Sequence, residues 1–321
     1  MMTIEQIERL VFAEETFTPS DVCELLKTIP QEELWALAHR VTEYFKPKHF
    51  DFCAIVNARS GRCSENCKWC AQSAHWKTSC EVYDWIGTDA CVASIRKAEA
   101  NRVGRLGIVT SGRGQTPKDI DRICEAIRAM KKESSVSVCA SLGLLSKSDL
   151  QKLKDAGLER VHCNLETAPS LFPSLCSTHT TEEKIATLKA AREVGLEICC
   201  GGIFGMGETD EQVVEFAFAL KEIAPASIPM NFLDPIPGTP LGGQPFLSIS
   251  RILTVIAIMR LVNPKTPLRF AGGRRKLSDE DAARAIDVGI TAGIQGPLLT
   301  TPGADYADDR HLAAKAGYCV E

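Results

Sequence analysis

Beyond residue 50 the chain alternates short runs of apolar and β-branched residues with longer stretches whose apolar positions recur every three or four residues. Runs of the first kind read as buried parallel strands, and stretches of the second kind as amphipathic helices. Eight strands are predicted, at 53–57, 106–110, 136–141, 160–166, 197–203, 227–233, 267–271 and 294–299. The helices between them carry start and stop signals. Thr116-Pro117 sets a capping hydroxyl and a helix-compatible proline ahead of Ile120, Ile123, Ile127 and Met130. Ser146 with Asp149, Thr180 with Glu183, Thr209 with Gln212 and Ser278 with Asp281 open four more, while Gly157 and Gly195 close two. The first 47 residues have no strand-like run and read as helices over 3–13, 19–28 and 31–46.

Eight β/α units in succession predict an α/β protein of the (β/α)8 TIM-barrel type, with an open doubly wound sheet as the alternative. The expected organisation is a helical extension over 1–47 and a barrel domain over 48–321. A barrel places its chemistry at the C-terminal ends of the strands and in the loops after them.

Composition narrows the class. A chain of 321 residues, 45% hydrophobic, is long enough for one barrel with a large core. The formal charge of −4, with no long charged run, gives no electrostatic basis for nucleic-acid or membrane binding. The opening residues, MMTIEQIERLVF, lack the basic start and apolar core of an export signal, and no run of apolar residues is long enough to span a bilayer. A cytoplasmic protein is expected. In that setting 14 cysteines are thiols or metal ligands rather than disulfides.

The distinctive chemistry begins just after the first predicted strand. Residues 60–70 read Ser-Gly-Arg-Cys-Ser-Glu-Asn-Cys-Lys-Trp-Cys, a Cys-x3-Cys-x2-Cys spacing at Cys63, Cys67 and Cys70. Iron–sulfur clusters normally take four cysteines. A local set of three leaves one iron open to bind and activate a ligand. Zinc is the rival occupant, but it favours paired Cys-x-x-Cys elements and four ligands, and no second pair follows nearby. Three unrelated thiols are the plain alternative. Trp69 offers a flat apolar face beside the site, suited to stacking on an adenine.

This spacing resembles the radical S-adenosylmethionine superfamily. Further segments resemble the biotin synthase family in order and spacing: Cys-Lys-Trp-Cys-Ala-Gln-Ser at 67–73, Asn-Leu-Glu-Thr at 164–167, Gly-Gly-Ile-Phe-Gly-Met-Gly-Glu-Thr at 201–209, Pro-Gly-Thr-Pro-Leu at 237–241 and Leu-Leu-Thr-Thr-Pro-Gly at 298–303. The resemblance implies a [4Fe-4S] cluster on Cys63, Cys67 and Cys70 that cleaves S-adenosylmethionine to a 5′-deoxyadenosyl radical. It implies dethiobiotin as substrate, a one-electron donor such as flavodoxin or ferredoxin, and a homodimer. It makes Asn164 and Glu166 ribose contacts, with Asn164 also near substrate. Glu166 stands where the family usually has aspartate, and Lys184 where it often has an arginine for the cofactor carboxylate. Lys184 supplies the charge but not the bidentate fork; the plain alternative is a solvated helix residue. His75 likewise replaces a usual arginine and has no assigned role. Asn231 matches an asparagine that binds the ureido ring, for which an amide both donates and accepts. Gly201, Gly202, Gly205 and Gly207 permit close approach of a ligand, or equally a tight strand-to-helix turn.

The resemblance also implies an auxiliary cluster as sulfur source, [2Fe-2S] or a variant type, on Cys139, Cys199, Arg269 and one more cysteine. That cysteine's expected position on the second strand is Gly107. Cys163 and Cys200 are candidate replacements, although strand alternation turns both outward unless the strand is bulged. Cys23, Cys53, Cys80, Cys91, Cys124, Cys176 and Cys319 carry no motif and read as structural thiols. The rivals are another radical enzyme, of hydrogenase-maturase or methylornithine-synthase type, and a non-catalytic iron–sulfur carrier.

Overall fold

A computed structural model describes residues 3–301, 303 and 305–320; Pro302 of the 298–303 segment lies outside the described residues. The strands are β1 (Asp51–Arg59), β2 (Arg105–Thr110), β3 (Ser137–Ser141), β4 (Arg160–His162), β5 (Glu197–Cys199), β6 (Gly202–Phe204), β7 (Ile228–Phe232), β8 (Leu268–Phe270) and β9 (Ile290–Gln295). The helices are α1 (Ile4–Phe12), α2 (Pro19–Thr28), α3 (Gln31–Phe45), α4 (Thr88–Ala100), α5 (Pro117–Glu133), α6 (Lys147–Asp155), α7 (Phe172–Leu175), α8 (Thr181–Glu193), α9 (Asp210–Ile223), α10 (Ile249–Val262), α11 (Asp279–Val288) and α12 (Tyr306–Lys315).

All strand pairs are parallel, in the order β5-β4-β3-β2-β1-β9-β8-β7-β6. The two ends of that order, β5 and β6, are halves of one predicted strand, broken at Cys200-Gly201. Single parallel bridges, Glu166 to Gly202 and Cys199 to Ser227, knit the break. The result is a (β/α)8-type barrel closed through a split fifth strand. The predicted fourth strand stops at His162, and Glu166 sits at φ 76°, in the left-handed region. The last predicted strand begins and ends earlier than expected, at Ile290–Gln295 rather than 294–299.

All five predicted N-caps form. Thr116, Thr180 and Thr209 each accept from the third helical N–H and donate their own backbone N–H to that residue's side chain, and Ser146 and Ser278 cap α6 and α11. The N-terminal helices lie on the outside of the barrel. Helix α3 buries Leu34, Leu37 and Val41 against α10, and its ends are pinned by Trp35 Nε1 donating to Thr254 Oγ1 (3.2 Å) and Thr42 Oγ1 donating to Val288 O (2.8 Å). Each fully buried Leu or Val contributes roughly 1.5–3 kcal/mol, so a charge at Leu37 would detach this helix. Helix α10 is buried on nearly every side, because α3, α9 and α11 surround it.

Candidate functional site

The cysteine loop leaves the C-terminal end of β1. Gly61 (φ 75°) and Arg62 (φ 49°) reverse the chain, and a Cβ at Gly61 would meet Val82 Cγ2 at 2.7 Å, so the turn requires glycine. Backbone bonds then fix the loop: Cys63 N to Gln72 O (2.9 Å), Ala74 N to Cys63 O (2.8 Å) and Cys70 N to Cys67 O (3.1 Å). Trp76 Nε1 donates to Cys67 O at 2.9 Å. Cys63, Cys67 and Cys70 line one cavity of about 190 Å³, here termed the upper cavity. Burial pushes the Cys70 thiol up to about 12. Metal binding deprotonates such thiols, so loading this set releases protons.

Behind the loop stands a group that the sequence did not announce. Cys67 Sγ lies 3.7 Å from Cys176 Sγ, and Cys176 Sγ lies 3.3 Å from His179 Nδ1. His179 Nδ1 in turn lies 2.6 Å from Glu65 Oε2. The donor atoms of Cys67, Cys176 and His179 all fall within 4.8 Å of one another. The hydrogen bond from Cys67, and then that from His179, holds Cys176 down to about 3. Cys176, read as incidental, is therefore a neighbour of the motif. The 109 residues between it and Cys67 hide the link, and no local spacing reveals it.

Asn164, Glu166 and Lys184 also line the upper cavity. Lys184 is 8% exposed, so it is not a solvated helix residue; its Nζ donates to Asn164 O at 3.0 Å. Burial raises the Glu166 carboxyl, and Lys184 is the chief opposing charge. Asn164 Oδ1 accepts from Gly201 N at 2.9 Å, which stitches the fourth strand to the break in the fifth. Gly201, Gly202 and Gly205 line neither cavity described here. A Cβ at Gly201 would lie 2.0 Å from Pro229 O, and one at Gly202 2.3 Å from Glu166 O. What demands glycine at these two positions is neighbouring backbone. Gly205 (φ 100°) turns the chain so that its N–H, with that of Met206, donates to Glu208.

Below lies a cavity of about 340 Å³, the lower cavity, with Cys53, Cys139, Cys199 and Arg269 in its wall. Trp69, Cys70, His162, Asn164 and Glu166 line both cavities, so the two abut. Arg269 is 1% exposed and donates to Ser227 Oγ (3.1 Å), Asp51 O (2.9 Å), Gly293 O (3.0 Å), Cys53 Sγ (3.2 Å) and the Asp51 carboxylate. Arg105 and Arg160 share this floor, and the Arg105 Nη1 is buried with no partner. Burial pushes Cys139 up to about 12 and Cys199 up to about 11. Cys163, a candidate replacement ligand by sequence, lines the upper cavity and not this one, because its neighbour His162 is the residue that pairs with Cys199 in the β4–β5 ladder. Cys200 is fully buried and lines neither cavity. Asn231 lines the lower cavity; its Nδ2 donates to Gly202 O and its Oδ1 accepts from Gly272 N, both at 2.9 Å. One amide hydrogen and one lone pair remain for a ligand.

The donor chemistry fits iron–sulfur groups at both levels: three thiols on a short loop above, and three thiols among arginines with an orphaned guanidinium nitrogen below. The radical SAM superfamily matches residues 58–220, and the biotin and thiamin synthesis associated domain matches 229–319. In fold, the chain is similar to methylornithine synthase (TM-score 0.79, 16% identity, 98% of this chain and 97% of that one) and to the FeFe-hydrogenase maturase of Carboxydothermus hydrogenoformans (TM-score 0.81, 15% identity, 98% and 78%). Fold and site together define a radical S-adenosylmethionine barrel enzyme. Sequence relatives narrow this further. The chain is 49% identical to a biotin synthase of Porphyromonas gingivalis over 92% of its length and 90% of the relative's. It is 43% identical to that of Parabacteroides distasonis (99% and 98%) and 38% identical to that of Clostridium botulinum strain Hall (100% of both). The chain belongs to the biotin synthase family, whose activity is radical-dependent sulfur insertion. Among the described residues no helix is long and apolar enough to cross a membrane.

Proposed function

We propose that the chain converts dethiobiotin to biotin, with S-adenosylmethionine in the upper cavity and the substrate between it and the lower thiols. The observation that carries this reading is the shared wall: two cysteine sets, distant in sequence, line abutting cavities with Trp69, Asn164 and Glu166 between them. Sulfur insertion needs hydrogen abstraction and a sulfur source within reach of one substrate, and positioning supplies much of the rate. When bound, the first cluster supplies the electron that cleaves the sulfonium, and the auxiliary cluster supplies the sulfur.

The residues then divide the work. Cys63, Cys67 and Cys70 would hold the first cluster, three thiolates leaving it open to bind S-adenosylmethionine. Trp69 offers its face to the adenine, while Asn164 and Glu166 reach the ribose. Lys184 answers the cofactor carboxylate with a buried charge, while Gly201, Gly202 and Gly205 act behind the cavity, letting neighbouring segments pack closely. Asn231 meets the ureido ring with its remaining donor and acceptor. Cys139, Cys199 and Arg269 hold the auxiliary cluster, of [2Fe-2S] or variant type. The closed barrel keeps water and stray hydrogen donors from the radical. Electrons come from a flavodoxin- or ferredoxin-type donor, and the working unit is a homodimer in the cytoplasm.

The test is anaerobic incubation with reductant and S-adenosylmethionine, with and without dethiobiotin. Biotin, and 5′-deoxyadenosine whose yield depends on dethiobiotin, are expected. Deoxyadenosine formed equally in both arms, without biotin, would defeat the assignment.

A further inference from the structure

We infer that Cys53 supplies the third thiolate of the auxiliary cluster, replacing the sulfur that Gly107 does not provide. The inference rests on the reading of the lower cavity as the auxiliary-cluster site. Cys53 on β1, Cys139 on β3 and Cys199 at the end of β5 line that cavity together with Arg269 on β8. Cys53 is the thiol within hydrogen-bond distance of Arg269, with Nη1 at 3.2 Å.

Register explains why a sulfur fits at position 53 and not at 107. Gly107 lies between Ile55 on β1 and Cys139 on β3 in the two ladders. Cys53 precedes Ile55 by two residues and so shares its face of the sheet. A Cβ at Gly107 would lie 3.0 Å from Cys139 Sγ and 3.4 Å from Ile55 Cγ2, so the neighbours already occupy that space. Moving the thiol to the next strand, two residues earlier than Ile55, delivers it to the same cavity without that crowding. Cys163 and Cys200, which directly follow β4 and β5, do not line this cavity.

The charge around Cys53 also suits a ligating thiolate. Its ladder partner on β2 is Arg105, whose Nη1 has no partner in the protein. Arg105, Arg160 and Arg269 face this floor, against the carboxylates of Asp51 and Glu197. Three guanidiniums over two carboxylates leave a positive surplus that an anionic sulfide cluster would neutralise.

The test uses a Cys63→Ala/Cys67→Ala/Cys70→Ala background, in which iron retained after anaerobic reconstitution belongs to the lower site. Iron, acid-labile sulfide and visible absorption are measured with Cys53→Ser or Cys163→Ser added. Serine keeps a polar partner for Arg269, so a loss reports the missing sulfur rather than the missing hydrogen bond. Cys53→Ser should lower retained iron at least about tenfold, and Cys163→Ser should leave it unchanged. In the otherwise unaltered chain, Cys53→Ser should keep the electron paramagnetic resonance signal of the reduced upper cluster, which shows that the barrel has folded. Full iron with Cys53→Ser, or its loss with Cys163→Ser alone, overturns the inference while the auxiliary-cluster reading stands. No iron in the background chain itself overturns both.

Discussion

Replacing Arg269 with methionine should destabilise the barrel by about 3 kcal/mol before any question of ligation arises. Breaking a fully buried ion pair by removing one partner costs roughly 3–5 kcal/mol. Here the Asp51 side chain is 44% exposed and water takes over much of its solvation, so the pair itself gives less. The larger loss is at the buried acceptors. Asp51 O and Gly293 O, on the adjacent strands β1 and β9, lose their donor to a thioether, at roughly 1–3 kcal/mol for each orphaned group. Methionine burial offsets part of this. With a slope of about 3 kcal/mol per M, the urea midpoint of the cluster-free chain, followed by circular dichroism under thiol, should fall by about 1 M. Arg269→Lys should fall by less, since one ammonium still meets part of the acceptor set. The pH dependence has a definite sign. Burial raises the Asp51 carboxyl, but Arg269, Arg160 and Arg105 pull it further down, to a net value below its ordinary 3.8. That stabilisation is present above the ordinary value and fades as pH falls below it. The gap between parent and variant should therefore be full at pH 7 and narrow below about pH 4. An unchanged midpoint at pH 7 would mean that the guanidinium is not pinned by the floor, and the description of the lower site would be wrong.

Other expectations concern the loop, the split strand and the C-terminal helix. Cys176→Ala should leave the iron count unchanged but move the upper cluster's reduction potential to more positive values in an EPR-monitored titration, because it removes an anionic thiolate from beside the ligating Cys67 sulfur. Gly202→Ala should yield no soluble folded chain on expression, since its Cβ would stand 2.3 Å from Glu166 O and 2.6 Å from Phe216 Cζ; Gly243→Ala, with nothing within 4 Å, should unfold within about 0.5 kcal/mol of the parent. Burial raises the Asp309 carboxyl to about 6 against the pull of Arg274. Stability should then decline as pH rises from about 4 to about 6, and Asp309→Asn should flatten that slope in urea titrations.

The parts of the molecule legible in the sequence are those whose signal is local. Capping boxes at Thr116, Thr180 and Thr209 need only residues three apart, and the Cys63–Cys70 spacing is local too. The break at Cys200-Gly201 was not legible, because the residues packed against it, Pro229 and Glu166, come from distant parts of the chain. Cys53 and Cys176 carry no local signal for the same reason. Each reaches its partner across the fold: Cys53 meets Arg269 across 216 residues, and Cys176 meets Cys67 across 109. Alternation set Cys163 and Cys200 apart from Cys199, and neither lines the lower cavity, although Cys163 lines the upper one rather than facing outward.

These residues also explain why a barrel would keep such a costly floor. A guanidinium in an apolar strand costs stability unless it is paired and fully hydrogen-bonded. Arg269 meets that condition through Asp51, Ser227 and two strand carbonyls, and Arg160 is paired with Glu197, whereas Arg105 reaches Glu197 only at 3.7 Å and leaves Nη1 unanswered. The protein alone therefore holds this region short of its electrostatic minimum. A group that binds only the folded barrel and brings negative charge would draw the equilibrium toward the native state. Its departure, or the loss of its sulfur, would return the floor to uncompensated charge. On the proposed reading, stability and cluster content would be coupled through the same three arginines, and the lower site should be the part of the barrel that loosens first when iron is withheld.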